Sequence, residues 1–286
     1  MLLSLGYLGP AGSHSSEAAE ALLRELSHGF NAPLQLAPYP SLGQLIAALK
    51  HKELEAVLVP VENALEGSVR EVLDALAFDF DQPIIQLEWE RSIRHCLIRK
   101  TTGLDGIQVV SSHPQALAQS RQGLNQLLGE GWQAEPALST AQAVLNLLDR
   151  EDSVAAIGTK SIALAHNLQI VSDDICQNPN NHTWFLLLSQ NNNLLKLNSG
   201  HYKTKTSFCV EPAQNQSGTL VAILSVFSKN GLKMTRIESR PAKTQLGEYL
   251  FYIDVEGSVT EGFIEQLKAV SNQVYFLGTY PCLTSL

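Results

Sequence analysis

Two hydrophobic periods take turns along the first two thirds of this chain, and turn residues mark each switch. Leu2–Leu8 reads as a buried strand, closed by the turn Gly9-Pro10-Ala11-Gly12. Ser13-His14-Ser15-Ser16 then leads into a helix whose apolar residues include Ala18, Ala21, Leu22 and Leu26. Ser41 and Gln44 form a capping box ahead of Leu45, Ile46 and Leu49. The β-branched strand Ala56–Val61 follows and ends in Glu62-Asn63-Ala64-Leu65-Glu66-Gly67-Ser68. Ile107–Val110 predicts a further strand, with a second box at Ser112 and Gln115, Pro114 in the first turn, and Gln119 one turn later on the same face. A third box at Ser139 and Gln142 opens the helix of Val144, Leu147 and Leu148; Val154–Ile157 and a helix from Gly158-Thr159 follow. Strand alternating with helix from residue 2 to about 170 predicts an α/β architecture.

At Ile175–Ser189 a polar, turn-prone run (Gln177 to His182) feeds directly into apolar residues, as a loop entering a buried strand would. Strand alternation sends Thr183 and Phe185 to one face and Trp184 to the other. Residues 191–205, rich in Asn and Lys, read as a linker between a domain at 1–190 and a smaller one at 206–286. The smaller domain reads strand (Thr206–Val210), helix (Thr219–Ser228, stopped at Asn230-Gly231), strands (Leu232–Ser239 and Tyr249–Val255), helix (Glu261–Val270) and strand (Val274–Tyr280). That βαββαβ order is ferredoxin-like.

Composition narrows the function classes. With 286 residues, 44% apolar and 17% charged, the chain is long enough for two globular cores. A net charge of −8 argues against a nucleic-acid or polybasic membrane surface, so an anionic ligand must be held by local donors. The first residues lack the charged flank of a signal peptide, and no apolar run would span a bilayer. Cys96, Cys176, Cys209 and Cys282 are scattered, as in a cytoplasmic protein with reduced thiols. His14, His95, His113 and His182 lack metal-ligand spacing.

Candidate chemistry lies where strands end. In open α/β sheets ligands collect beyond the carboxyl ends of strands, which nominates Glu62 and Asn63, although a surface turn would use the same residues. Helix starts at Ser13 and Ser112 offer free N–H groups to anions, or are ordinary caps. Thr183 places a hydroxyl beside an aromatic ring, or satisfies its own loop.

Six stretches in order resemble one family. Tyr7-Leu-Gly-Pro-Ala-Gly-Ser13, Val59-Pro-Val-Glu-Asn63, Ser112-His-Pro-Gln115 and Asn181-His-Thr183 with Phe185 are similar to signatures of prephenate dehydratase. Gly218-Thr-Leu-Val221 and Glu238-Ser-Arg-Pro241 are similar to the phenylalanine-binding motifs of its C-terminal ACT domain. The resemblance implies two lobes hinged like a periplasmic binding protein, followed by an ACT domain that pairs chains into a homodimer or homotetramer. It implies decarboxylating dehydration of prephenate to phenylpyruvate without metal or cofactor. The implied catalytic residues are Thr183, Glu62, Asn63 and Gln119, and the substrate-binding ones Ser13, Ser112, Gln115 and Phe185. Phenylalanine would bind at Gly218, Thr219, Leu220, Glu238, Ser239, Arg240 and Pro241. The family usually carries arginine where Trp184 stands, an aromatic where His14 stands, and Pro-Gly-Ala where Gln216-Ser217-Gly218-Thr219 stands. Arogenate as the substrate, and a non-catalytic amino-acid sensor of the same fold, are the rival readings.

Overall fold

The computed structural model describes residues 3–80, 85–176, 180–192, 194–197, 202–214 and 216–284. Leu2, residues 177–179 of the polar loop, and residues 193 and 198–201 of the expected linker lie outside the described residues.

The chain builds one lobe, leaves it to build a second, and comes back. The first lobe begins β1 (Leu3–Leu8), α1 (His14–Leu26), β2 (Leu34–Tyr39), α2 (Leu42–Lys50) and β3 (Ala56–Asn63). It continues with the two-residue β4 (Gly67–Ser68), α3 (Arg70–Phe78) and β5 (Ile85–Ser92). The second lobe comprises β6 (Cys96–Arg99), β7 (Val109–Ser112), α4 (Pro114–Leu128), β8 (Gln133–Pro136) and α5 (Thr140–Asn146). It ends with β9 (Val154–Gly158), α6 (Lys160–Ala165) and β10 (Gln169–Ser172), and the chain returns through β11 (His182–Leu188). The two crossings between lobes brace each other: Ile93 N–H donates to Asn181 O at 2.8 Å, and Ile175 N–H to His95 O at 2.9 Å.

Three expected caps form as the sequence pattern predicts. Ser13 accepts from Ser16 N, Ser41 from Gln44 N and Ser139 from Gln142 N. The box at Ser112 does not form. Proline favours the first helical position, so α4 starts at Pro114 and the cap falls on His113, whose ring accepts from Gln115 N. Ser112 remains in β7 and donates its hydroxyl to Ile157 O at 2.9 Å.

The C-terminal domain is β12 (Lys203–Pro212), α7 (Thr219–Lys229), β13 (Met234–Pro241), β14 (Tyr249–Glu256), α8 (Glu261–Lys268) and β15 (Ser271–Thr284), the expected βαββαβ order. Its strands overrun their sequence-based limits, and β12 starts inside the stretch read as linker. The second lobe has its own sheet, ordered β10-β6-β9-β7-β8. The other two units share one, ordered β13-β14-β12-β15-β5-β11-β3-β1-β2. The junction is a parallel pairing of β15 with β5, Cys282 opposite Glu88 and Thr284 opposite Glu90. Lys205 is ion-paired with the buried Glu88 beside it. One apolar core runs through this junction, joining Val57, Val59 and Leu73 to Leu250, Tyr252 and Leu277. All four cysteines are free.

Candidate active site

β3 and β11 lie side by side, and the register between them is broken once. Phe185 is opposite Pro60 and Trp184 opposite Glu62, so Val61 has no partner and forms a bulge. A bulge resets the side-to-side alternation of a strand. Pro60 faces the cleft, Val61 and Glu62 both turn to the back of the sheet, and Asn63 faces the cleft again, opposite Thr183. Thr183 and Phe185 therefore join Asn63 on the wall of a cavity of about 320 Å³ between the lobes. Trp184 packs on the opposite side against the shared core, as alternation predicts.

Hydrogen bonds fix the direction in which these groups point. Asn63 Oδ1 accepts from Leu65 N at 3.0 Å and Glu66 N at 3.1 Å, so its NH2 group must be the end that meets Thr183 Oγ1 at 2.9 Å. Thr183 accepts there, and its own proton is left for a group in the cavity. Asn63 also donates to Asn181 Oδ1 at 3.2 Å. Gln119 reaches in from α4 and receives His95 Nε2 at 3.1 Å and Asn181 Nδ2 at 3.4 Å on its oxygen. Its nitrogen donates to Glu66 across the cleft at 3.0 Å.

Among the described residues, the lining contains no Asp, Glu, Lys or Arg. In place of a cation, helix starts converge on the cavity: Ser13 and His14 of α1, His113 and Gln115 of α4, Ser139 and Thr140 of α5. Free N–H groups at such ends favour anions. His14 and His95 meet at 3.3 Å. Burial holds both imidazoles below their ordinary range, and His95 pushes His14 lower still, to about 3.

The expected site residues divide. Thr183, Asn63, Gln119, Ser13, Gln115 and Phe185 line the cavity. Ser112 does not, because its buried hydroxyl is spent on Ile157 O. Glu62 does not either: the bulge turns its carboxylate to the C-terminal domain, 3.5 Å from Arg236 Nη2. His14, His95, Asn181 and Glu66 join the network without having been expected to. Among the described residues no three His, Cys, Asp or Glu side chains gather as a metal set, and no helix is long and apolar enough to cross a membrane.

The expected effector residues divide by the same alternation. Gly218 begins α7 at φ +90°, and Thr219 and Leu220 line a second cavity of about 310 Å³ with Tyr249 and Phe251. Glu238 and Arg240 face the catalytic lobe, a correction to their expected place. They lie two apart in β13, on the face that also carries Arg236, and that face packs on α3 and β4. Glu238 accepts from Ser68 Oγ at 2.5 Å and from Arg236 at 2.8 Å, and Arg240 holds Asp74 at 3.0 Å. Burial alone would raise the Asp74 carboxyl, but Lys243 and Arg240 hold it below its ordinary range. Ser239 and Pro241 are exposed on the other face.

Comparison with known proteins accounts for both units. The sequence profile of prephenate dehydratase matches residues 5–193, and that of the ACT domain matches residues 213–272. The bifunctional chorismate mutase/prephenate dehydratase of Neisseria gonorrhoeae is 33% identical, over 98% of this chain and 74% of that protein. Prephenate dehydratase of Methanocaldococcus jannaschii is 38% identical over 78% of this chain and 80% of its own. The crystal structure of prephenate dehydratase from Arthrobacter aurescens in complex with L-Phe superimposes with a TM-score of 0.80 at 30% identity, covering 98% of this chain and 90% of that one. The chain belongs to the prephenate dehydratase family of lyases and carries that family's two-lobed α/β fold with a C-terminal ACT domain.

Proposed function

We infer that the cavity between the lobes binds prephenate and releases phenylpyruvate, CO2 and hydroxide. The ring carboxylate leaves as CO2, its C–C bonding pair moves into the ring, and the C–O pair departs with the hydroxyl as the ring becomes aromatic. The substrate supplies the driving force, so the protein must hold a dianion and ease hydroxide out. The helix starts suit the first task. The second falls to Thr183, and one observation carries that assignment: Asn63 already donates to Thr183 Oγ1, so the threonine proton points outward as a donor. Threonine is a weak acid and acts by a hydrogen bond that tightens as the C–O bond breaks. Phe185, Ser13, Gln115 and Gln119 shape the ligand around it.

In this reading residues 1–190 are catalytic, 191–205 connect, and 206–286 regulate, in a cytoplasmic homodimer or homotetramer paired through the ACT domain. Phenylalanine binds the ACT cavity beside Gly218 and inhibits, its effect reaching the cleft through β13, whose Arg236 touches Glu62 next to Asn63.

Steady-state turnover of prephenate, read as phenylpyruvate absorbance in alkali, is the test. Thr183→Ala should lower kcat by about 100-fold or more with a smaller change in KM. Near-normal turnover in that variant would remove Thr183 from the mechanism. A folded wild-type chain inactive on both prephenate and arogenate would favour the sensor.

A further inference from the structure

Gln119 stands between the lobes with every partner of its amide defined. Glu66 is a carboxylate and only accepts, so the atom it meets must be the Gln119 NH2 group. The amide oxygen therefore faces His95, and His95 Nε2 must carry a proton to donate to it. A neutral imidazole has one proton, so His95 Nδ1 is bare and accepts from His14 Nε2 at 3.3 Å. Continuing outward, Asn181 gives its NH2 to Gln119, which turns its oxygen to the NH2 of Asn63, and Asn63 donates to Thr183. Donors and acceptors agree at each of these contacts. Reversing the His95 tautomer would set a bare nitrogen against the Gln119 oxygen. His95 and Asn181 are almost fully buried, at 3% and 1% exposure, so neither can turn to water instead. Both sit on the crossings between lobes, where backbone bonds hold them.

We propose that His95, held in one tautomer by the Gln119 oxygen and met on its bare nitrogen by His14, is a positioning residue for the dehydration. It fixes the Gln119 amide, and through Asn181 and Asn63 it aims the Thr183 hydroxyl at the leaving oxygen. His95 borders the cavity, and its effect passes through the amides to Thr183. The proposal rests on the reading of Thr183 as the donor.

The test compares His95→Gln with His95→Asn in the full-length protein. A glutamine amide nitrogen reaches the place of Nε2 and keeps the donor to Gln119, whereas asparagine reaches only the place of Nδ1. His95→Asn should lose about 10- to 100-fold in kcat with KM within about threefold of wild type, and His95→Gln should keep about a third of wild-type kcat or more. Equal losses, or no loss in either, would overturn the proposal, since a packing role alone would not separate the two amides. Should either variant fail to fold by circular dichroism, Asn181→Ala decides. It breaks the relay between Gln119 and Asn63, and kcat should fall several-fold with KM within about threefold of wild type. An unchanged kcat would overturn the proposal. Wild-type protein inactive on prephenate would instead sink the proposed function, which the same assay reports separately.

Discussion

The two faces of the β3–β11 pair are chemically opposite although they share a backbone. The cleft face carries amides, hydroxyls and imidazoles, and among the described residues its lining has no Asp, Glu, Lys or Arg. The back face, one residue away along each strand, meets ion pairs: Glu62 with Arg236, Arg236 with Glu238, and farther along Arg240 and Lys243 with Asp74. The difference teaches what each face is for. A cleft that takes a dianion and expels hydroxide gains from fixed dipoles, which need not reorganise as charge moves. A joint that must yield when an effector binds gains from contacts that can be exchanged, and Arg236 already reaches both Glu62 and Glu238.

Breaking the cleft face should cost most. Asn63→Ala removes the donor that turns the Thr183 hydroxyl outward, and kcat should fall by about 100-fold with the fold retained, measured by prephenate turnover beside circular dichroism. Breaking the back face should spare turnover and alter regulation. Arg236→Gln unties Glu62 from Ser68 and Glu238, and phenylalanine inhibition should weaken within the roughly 5- to 150-fold span that a coupling of about 1–3 kcal/mol allows. Inhibition curves at fixed prephenate decide this, and an unshifted curve would separate β13 from the regulatory route. The smallest effect belongs to Trp184→Arg. Its neighbours across the strands are Glu62 and Glu90, both on the back face, so an arginine there pairs with them and competes with Arg236. Turnover should stay within about threefold of wild type, because position 184 never meets the cleft. A marked gain in kcat would show that the two faces communicate more strongly than their chemistry suggests.

How much of this was legible in the sequence depended on whether the cause was local. Thr183 and Phe185 opposite Trp184 required only the two-residue period of a strand. The caps at Ser13, Ser41 and Ser139 required only a hydroxyl three residues before an N–H. Ser112 was misread for a local reason too, since Pro114 already points to residue 113 as the cap. Glu62 was not legible, because the bulge at Val61 comes from how β3 pairs with a strand far away in sequence. Glu238 and Arg240 belong to the same class: alternation put them on one face, but which face meets the catalytic lobe is a tertiary fact. His95 gave no signal, since its role depends on three amides brought together from α4, the loop before β11, and β3.

The parallel junction of β5 with β15 has a consequence for how the protein is made. β5 belongs to the first lobe and emerges early from the ribosome, whereas β15 is the last strand to follow. Until then β5 presents an unpaired backbone edge, and with it the apolar core that Leu250, Tyr252 and Leu277 will cover. Such an edge invites pairing with other chains. The catalytic half is therefore a poor candidate for excision: a chain ending at residue 204 would keep its cleft residues but lose a sheet partner and part of its core. The ACT domain thus completes the first lobe, supplying one strand to its sheet and part of its core.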